Sequence, residues 1–131
     1  ELRFSSAGHP SPIWVQRSSG KVNWLRSWDP RHGPALGLFE KATYPACKAT
    51  LSQNDLILLF TDGLYELTAP DQEEYGQERL LNSVKRHLQM PTDTLLDAVL
   101  EDAQRFAHTD EFDDDVCLVA MTAAHVGPPS A

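Results

Sequence analysis

Residues 56–66 read LILLFTDGLYE, and the break inside that stretch organises the rest of the chain. Leu56 to Phe60 is an unbroken apolar run of strand length, which implies burial on both faces. Thr61 and Asp62 end it, with Gly63 behind them. A buried strand that delivers a carboxylate to its tip can hold a hard divalent cation there. A glycine beside it turns without a Cβ and leaves the approach open.

The segments around this strand read as further strands. Leu2 to Ser6 alternates apolar and polar residues, and AGHPSP (7–12) breaks it as a turn. Ile13 to Gln16 and Val22 to Leu25 flank the turn RSSGK as a hairpin. The stretch SWDPRHGPALGLF (27–39) reads as an irregular loop crossing the domain, Thr43 to Thr50 as a strand, and LSQND (51–55) as the turn into the apolar run. Beyond Glu66 the period changes. Leu80, Leu81, Val84 and Leu88 line one face of a helix over 77–88. Leu95, Leu96, Val99, Leu100, Ala103 and Phe106 stripe a second helix, with Thr92 as its expected cap and Asp93 at its positive end. The acidic run HTDEFDDD then leads into a last strand, Val116 to Met121. The tail from His125 to Ala131 reads as disordered, leaving 1–124 as the domain.

Strands, then two helices, then one more strand describe a layered α+β domain. The last strand must return to the sheet to bury its apolar residues. If it pairs with the 56–60 strand, Asp113 to Asp115 arrive at the same sheet end as Asp62. Asp62 with Asp114 and Asp115 is then a candidate site for Mg2+ or Mn2+, since packed carboxylates need a neutralising cation. The plainer reading stands beside it: Asp-Gly is a common turn dipeptide, and an acidic triplet before a strand is usually a solvated loop.

Composition narrows the rest. A net charge of -8 over 131 residues disfavours nucleic acid and anionic lipid as partners. No apolar segment is long enough to span a bilayer, and no signal peptide is visible. Cys47 and Cys117 form no metal or redox motif and read as two reduced core thiols of a cytoplasmic protein. His32 and His87 read as surface residues, and His9 as a structural residue of its turn. His108 and His125 flank the last strand without ligand spacing, and Trp14, Trp24 and Trp28 read as core or hairpin packing. No serine lies in a nucleophile elbow, and the loop Gly33 to Gly37 lacks the Lys-Ser or Lys-Thr of a P-loop. The chain opens on Glu1, directly into strand-like sequence, and reads as a piece of a longer protein.

Taken in order, AGHPSP, GPALGL, LSQNDLILLFTDGLYE, YGQERL and DDDVCLVAM resemble the SpoIIE/RsbU-type serine/threonine phosphatases, the bacterial branch of the metal-dependent PP2C-like (PPM) phosphatases. The resemblance runs from Phe4 to Met121, and Thr-Asp-Gly followed by Glu66 is its most specific part. It implies an α-β-β-α sandwich, incomplete at the N-terminus, with two Mn2+ or Mg2+ ions between the sheet ends. By motif, Asp62 resembles one metal ligand and Asp114 another. Asp115 stands beside them, and Asp113 competes for the place of Asp114. Gly63, Gly8, His9, Gly33 and Gly37 match positions that shape the backbone, although GPALGL departs slightly from the usual Gly-x-Pro-Leu-Gly. The family also has an upstream half whose Gly-Asp motif bridges both metals, and these 131 residues hold no counterpart. The resemblance therefore implies part of a site, and little turnover by this stretch alone. It implies hydrolysis of phosphoserine or phosphothreonine on a regulatory protein, of the STAS-domain anti-anti-sigma type. The alternative is a non-catalytic module of the same fold that binds a signalling partner. A half-sandwich also exposes a sheet face, which favours a homodimer or partial unfolding.

Overall fold

The computed structural model of the protein describes residues 1–26 and 33–127. Trp28, His32, the first part of the expected crossing loop and the end of the tail lie outside the described residues. Six strands and two helices follow the expected order: β1 (Leu2–Phe4), β2 (Ile13–Gln16), β3 (Lys21–Trp24), β4 (Cys47–Ala49), β5 (Leu56–Phe60), α1 (Gly76–His87), α2 (Thr92–Ala107) and β6 (Leu118–Thr122). A single 3-10 turn, Asp62–Leu64, follows β5 directly. No helix among the described residues is long and apolar enough to cross a membrane.

The main sheet has the order β3-β2-β5-β6, antiparallel throughout, and β1 pairs with β4 in a separate ribbon. β5 is central, which explains its composition: Leu56, Ile57, Leu58 and Phe60 are all buried. One face of the sheet, carrying Ile13, Val15, Val22, Leu56, Leu58 and Phe60, shares a core with Leu80 and Val84 of α1 and Leu95, Val99 and Ala103 of α2. The helical stripes exist to meet this face. Burying a Leu or Phe side chain there contributes roughly 1.5–3 kcal/mol. The opposite face is less covered: Val119 and Met121 remain 45% and 44% exposed.

Local deviations have local causes. Only Cys47–Ala49 of the expected 43–50 strand pairs, because β1 offers just three partners. Thr92 does not cap α2; Pro91 holds the N-cap position without a side-chain bond and Thr92 is already helical. Cys47 is buried as expected, but Cys117 is exposed, since it precedes the point where β6 begins to pair; both are free thiols. Trp14 and Trp24 both belong to the hairpin, as expected. They sit at adjacent, hence opposite-facing, registers of the hairpin: Trp24 packs against Phe60, and Trp14 Nε1 donates to Asp55 Oδ2 at 3.0 Å. His87 is not a plain surface residue, as its ring reaches Asp102 on α2.

Candidate metal centre

The register of β5 against β6 decides what meets at the sheet end. Phe60 pairs with Leu118. Continued past the ladder, the same register sets Thr61 against Cys117 and Gly63 against Asp115. The bonds agree: Thr61 N donates to Cys117 O at 3.0 Å. The Thr61 hydroxyl completes the latch, donating to Asp115 O at 3.1 Å and accepting from Cys117 N at 2.9 Å. One side chain thus holds the tip of β5 to the acidic segment across from it.

Asp62 then opens the 3-10 turn, with Tyr65 N and Glu66 N both donating to its carbonyl. Gly63 is buried against the facing segment. A Cβ built there would lie 2.7 Å from Asp115 O and 3.4 Å from the Asp114 carbonyl carbon. Only a residue without a side chain permits that approach. Asp62, Asp113, Asp114 and Asp115 are all exposed. Asp62 Oδ1 accepts from Gly63 N at 3.0 Å, and Asp114 Oδ1 accepts from Asp115 N at 2.7 Å. These are bonds to adjacent amides, and each carboxylate keeps further lone pairs.

Among the described residues no three His, Cys, Asp or Glu side chains are gathered closely enough to hold a metal ion. The structure brings the Asp62 and Asp114–Asp115 segments together through the backbone. Their carboxylate oxygens are of the type that suits Mg2+ or Mn2+.

The shaping residues named from sequence form a second group. Gly8 N donates to Gly33 O at 2.8 Å, and Gly8, at φ +69°, leaves no room for a Cβ beside Ala35. Gly33 lies under the Tyr44 ring, where a Cβ would come within 2.3 Å of it. His9 Nδ1 donates to Pro10 O at 2.9 Å, and Gly37 lies in open space. No hydrogen bond among the described residues joins this group to Asp62 or Asp114–Asp115.

The sequence profile of Stage II sporulation protein E (SpoIIE) matches residues 1–124. The chain belongs to the SpoIIE family. It is 26% identical over 123 residues to Protein IcfG of Synechocystis sp., covering 92% of this chain and 18% of that one. It is also 26% identical over 120 residues to Phosphoserine phosphatase RsbP of Bacillus subtilis, covering 92% of this chain and 27% of that one. The chain therefore spans only a minor part of these relatives. Among solved structures, the RsbU and RsbW domains of Rv1364c from Mycobacterium tuberculosis superpose with a TM-score of 0.73 at 25% identity, covering 96% of this chain and 33% of that one. The SiaA-PP2C domain of Pseudomonas aeruginosa gives 0.67 at 16% identity, covering 92% and 46%. The fold is thus that of the PP2C-like phosphatases, with helices flanking a β-sheet core.

Sequence reasoning passed over two features of this SpoIIE-family chain. One is Thr61, whose hydroxyl does more than precede an acid; only its place at a strand tip hinted at it. The other is Asp102, half-buried between the helices. Its Oδ2 accepts from Ser83 Oγ at 2.6 Å, Arg86 Nη2 at 2.7 Å and His87 Nε2 at 2.9 Å, and its Oδ1 accepts from Arg105 Nη1 at 3.2 Å. Burial acts to raise the Asp102 pKa, but the hydrogen bonds from Ser83, Arg86 and His87 and the Arg86 charge outweigh it and bring it to about 2.

Proposed function

We propose that this chain supplies part of the metal site of a protein serine/threonine phosphatase domain. Asp62 and Asp114, with Asp115 beside them, would hold Mn2+ or Mg2+ in a site that uses two such ions when the domain is whole. The observation that carries the reading is the close approach of Gly63 to the Asp114–Asp115 backbone, where a single added carbon would fall 2.7 Å from Asp115 O. A cation bound there would supply an activated water and charge neutralisation for a phosphoryl group. The chain's own contribution would be to set Asp62 at the tip of the central strand, to lock the facing segment through Thr61, and to let the two backbones close on each other at Gly63. The substrate is phosphoserine or phosphothreonine on a regulatory protein, of the STAS-domain type. The name of the relative from Bacillus subtilis supports the chemistry.

A second reading, a non-catalytic module of the same fold that binds a signalling partner, is favoured by the lack of a three-ligand group among the described residues. The two separate in the natural gene product that contains residues 1–131. Under the first reading, Asp62→Asn and Asp114→Asn each lower Mn2+-dependent hydrolysis of a phosphoserine peptide by at least about a hundredfold with unchanged circular dichroism. An unaltered rate at saturating Mn2+ refutes the roles given to these residues. The 131 residues alone should turn over little, and brisk Mn2+-dependent hydrolysis by them would show that no further ligand is needed.

A further inference from the structure

Four of the chain's eleven lysines and arginines stand on the two helices: Arg79, Lys85 and Arg86 on α1, and Arg105 on α2. Three of them, with Asn82, line an open cleft of about 370 Å3 floored by Tyr75, Asp102 and Phe106. Arg79, Asn82 and Arg86 follow one another at three- and four-residue spacing and so share one face of α1.

The charges in the cleft do not cancel. Arg79 pairs with Glu73, and its guanidinium lies over the Phe106 ring, 4.6 Å from the centroid. Arg86 and Arg105 both pair with Asp102, one on each carboxylate oxygen. Two guanidinium groups therefore share one anion, and among the described residues neither has another acidic partner. Their side chains are 60% and 72% exposed, so each keeps N–H donors directed outward. Asp102, spanned by donors from both helices, holds the pair in place rather than competing for an incoming anion.

We propose that this cleft binds an oxyanion carried by a protein partner, a carboxylate or phosphate on an acidic segment laid across α1 and α2 and gripped by Arg86, Arg105 and Asn82. The fork geometry of arginine suits either group. The surroundings limit the partner. Asp97, Glu101 and Asp110 are exposed near the same helices in a chain of net charge -8. An extended polyanion, whether nucleic acid or an anionic bilayer, meets repulsion around the cleft, whereas a short segment with one or two anions does not.

The position gives the cleft a consequence that rests on the proposed metal site, although binding itself does not. The start of α1 is tied to the segment just after Asp62–Leu64, through Tyr75 N to Leu67 O and Gly76 N to Tyr65 O, both 2.8 Å. The end of α2 is tied to the loop leading to Asp113, through Gln104 Nε2 to Asp110 O at 2.9 Å. An occupant that bridges α1 and α2 across this cleft also steadies the two helices whose ends lead to the carboxylates.

The test is fluorescence anisotropy of a labelled hexapeptide carrying one phosphoserine and one glutamate with the 131-residue chain, in buffer freed of divalent metal by a chelating resin so that the metal site takes no part. Saturable binding is expected, weakened at least tenfold by R86Q/R105Q and unchanged within twofold by the control K21Q/K48Q. Because Arg86 and Arg105 also brace Asp102, Asn82→Asp provides a variant that leaves all three side chains in place and sets a competing carboxylate on the cleft wall, one turn from Arg86; it too should weaken binding several-fold. Absence of saturable binding, equal weakening in the control, or wild-type affinity in Asn82→Asp would overturn the proposal. Inorganic phosphate binding as tightly as the peptide would overturn the assignment to a protein partner.

Discussion

Two regions of this molecule hold aspartates, and they hold them in opposite ways. Asp102 lies between α1 and α2, its side chain only 10% exposed, with four side-chain donors on its two oxygens. Asp62 and Asp114 lie exposed at a sheet end, each bonded through one oxygen to the next amide in the chain. A carboxylate with its lone pairs filled is a structural tie, and its energy goes into joining two helices. Carboxylates positioned by backbone contacts, with lone pairs to spare, add little to the fold and are available to a ligand.

The contrast is open to direct attack. Asp102→Ala should be the most damaging of the stability changes, costing about 3 kcal/mol in urea unfolding, because Ser83 is fully buried and two guanidinium groups lose their anion. A loss below about 1 kcal/mol would make the network incidental. The same group governs acid sensitivity. Its folded pKa of about 2 lies below its ordinary 3.8, so its stabilisation is whole above about pH 4 and drains away as pH falls toward 2. It should amount to about 2 kcal/mol across that window, and Asp102→Asn should flatten the slope. Gly63→Ala is expected to cost about 1–2 kcal/mol, since the new methyl meets backbone at Asp115 rather than a side chain that can swing away. The smallest effect belongs to Asp62→Asn, within about 0.5 kcal/mol in metal-free buffer. A large loss there would mean that Asp62 serves the fold and would blur the distinction between the two regions.

Much of the architecture was legible because it follows from periodicity. The apolar run gave β5 its observed bounds, Leu56–Phe60, since a central strand buried on both faces has no alternative pattern. The stripe of Leu95, Val99 and Ala103 located α2 for the same reason, as each points into the core. Edges were less legible. Thr92 carries a capping side chain but lies one residue inside the helix, and Cys117 looks apolar but sits outside the ladder, since ends depend on where pairing stops rather than on residue type.

What the amino-acid order determined by itself is therefore the set of elements, their sequence and the family motifs, because hydrophobic period and turn chemistry are local properties. Which acids meet which partners was decided only in three dimensions. Gly63 lies against Asp114–Asp115 because β5 and β6 pair in one register, and a shift of that register would separate them. Ser83, Arg86 and His87 converge on Asp102 because α1 crosses α2 where it does. Neither meeting is written in the spacing of its residues, because contacts between remote segments are set by the packing of whole elements.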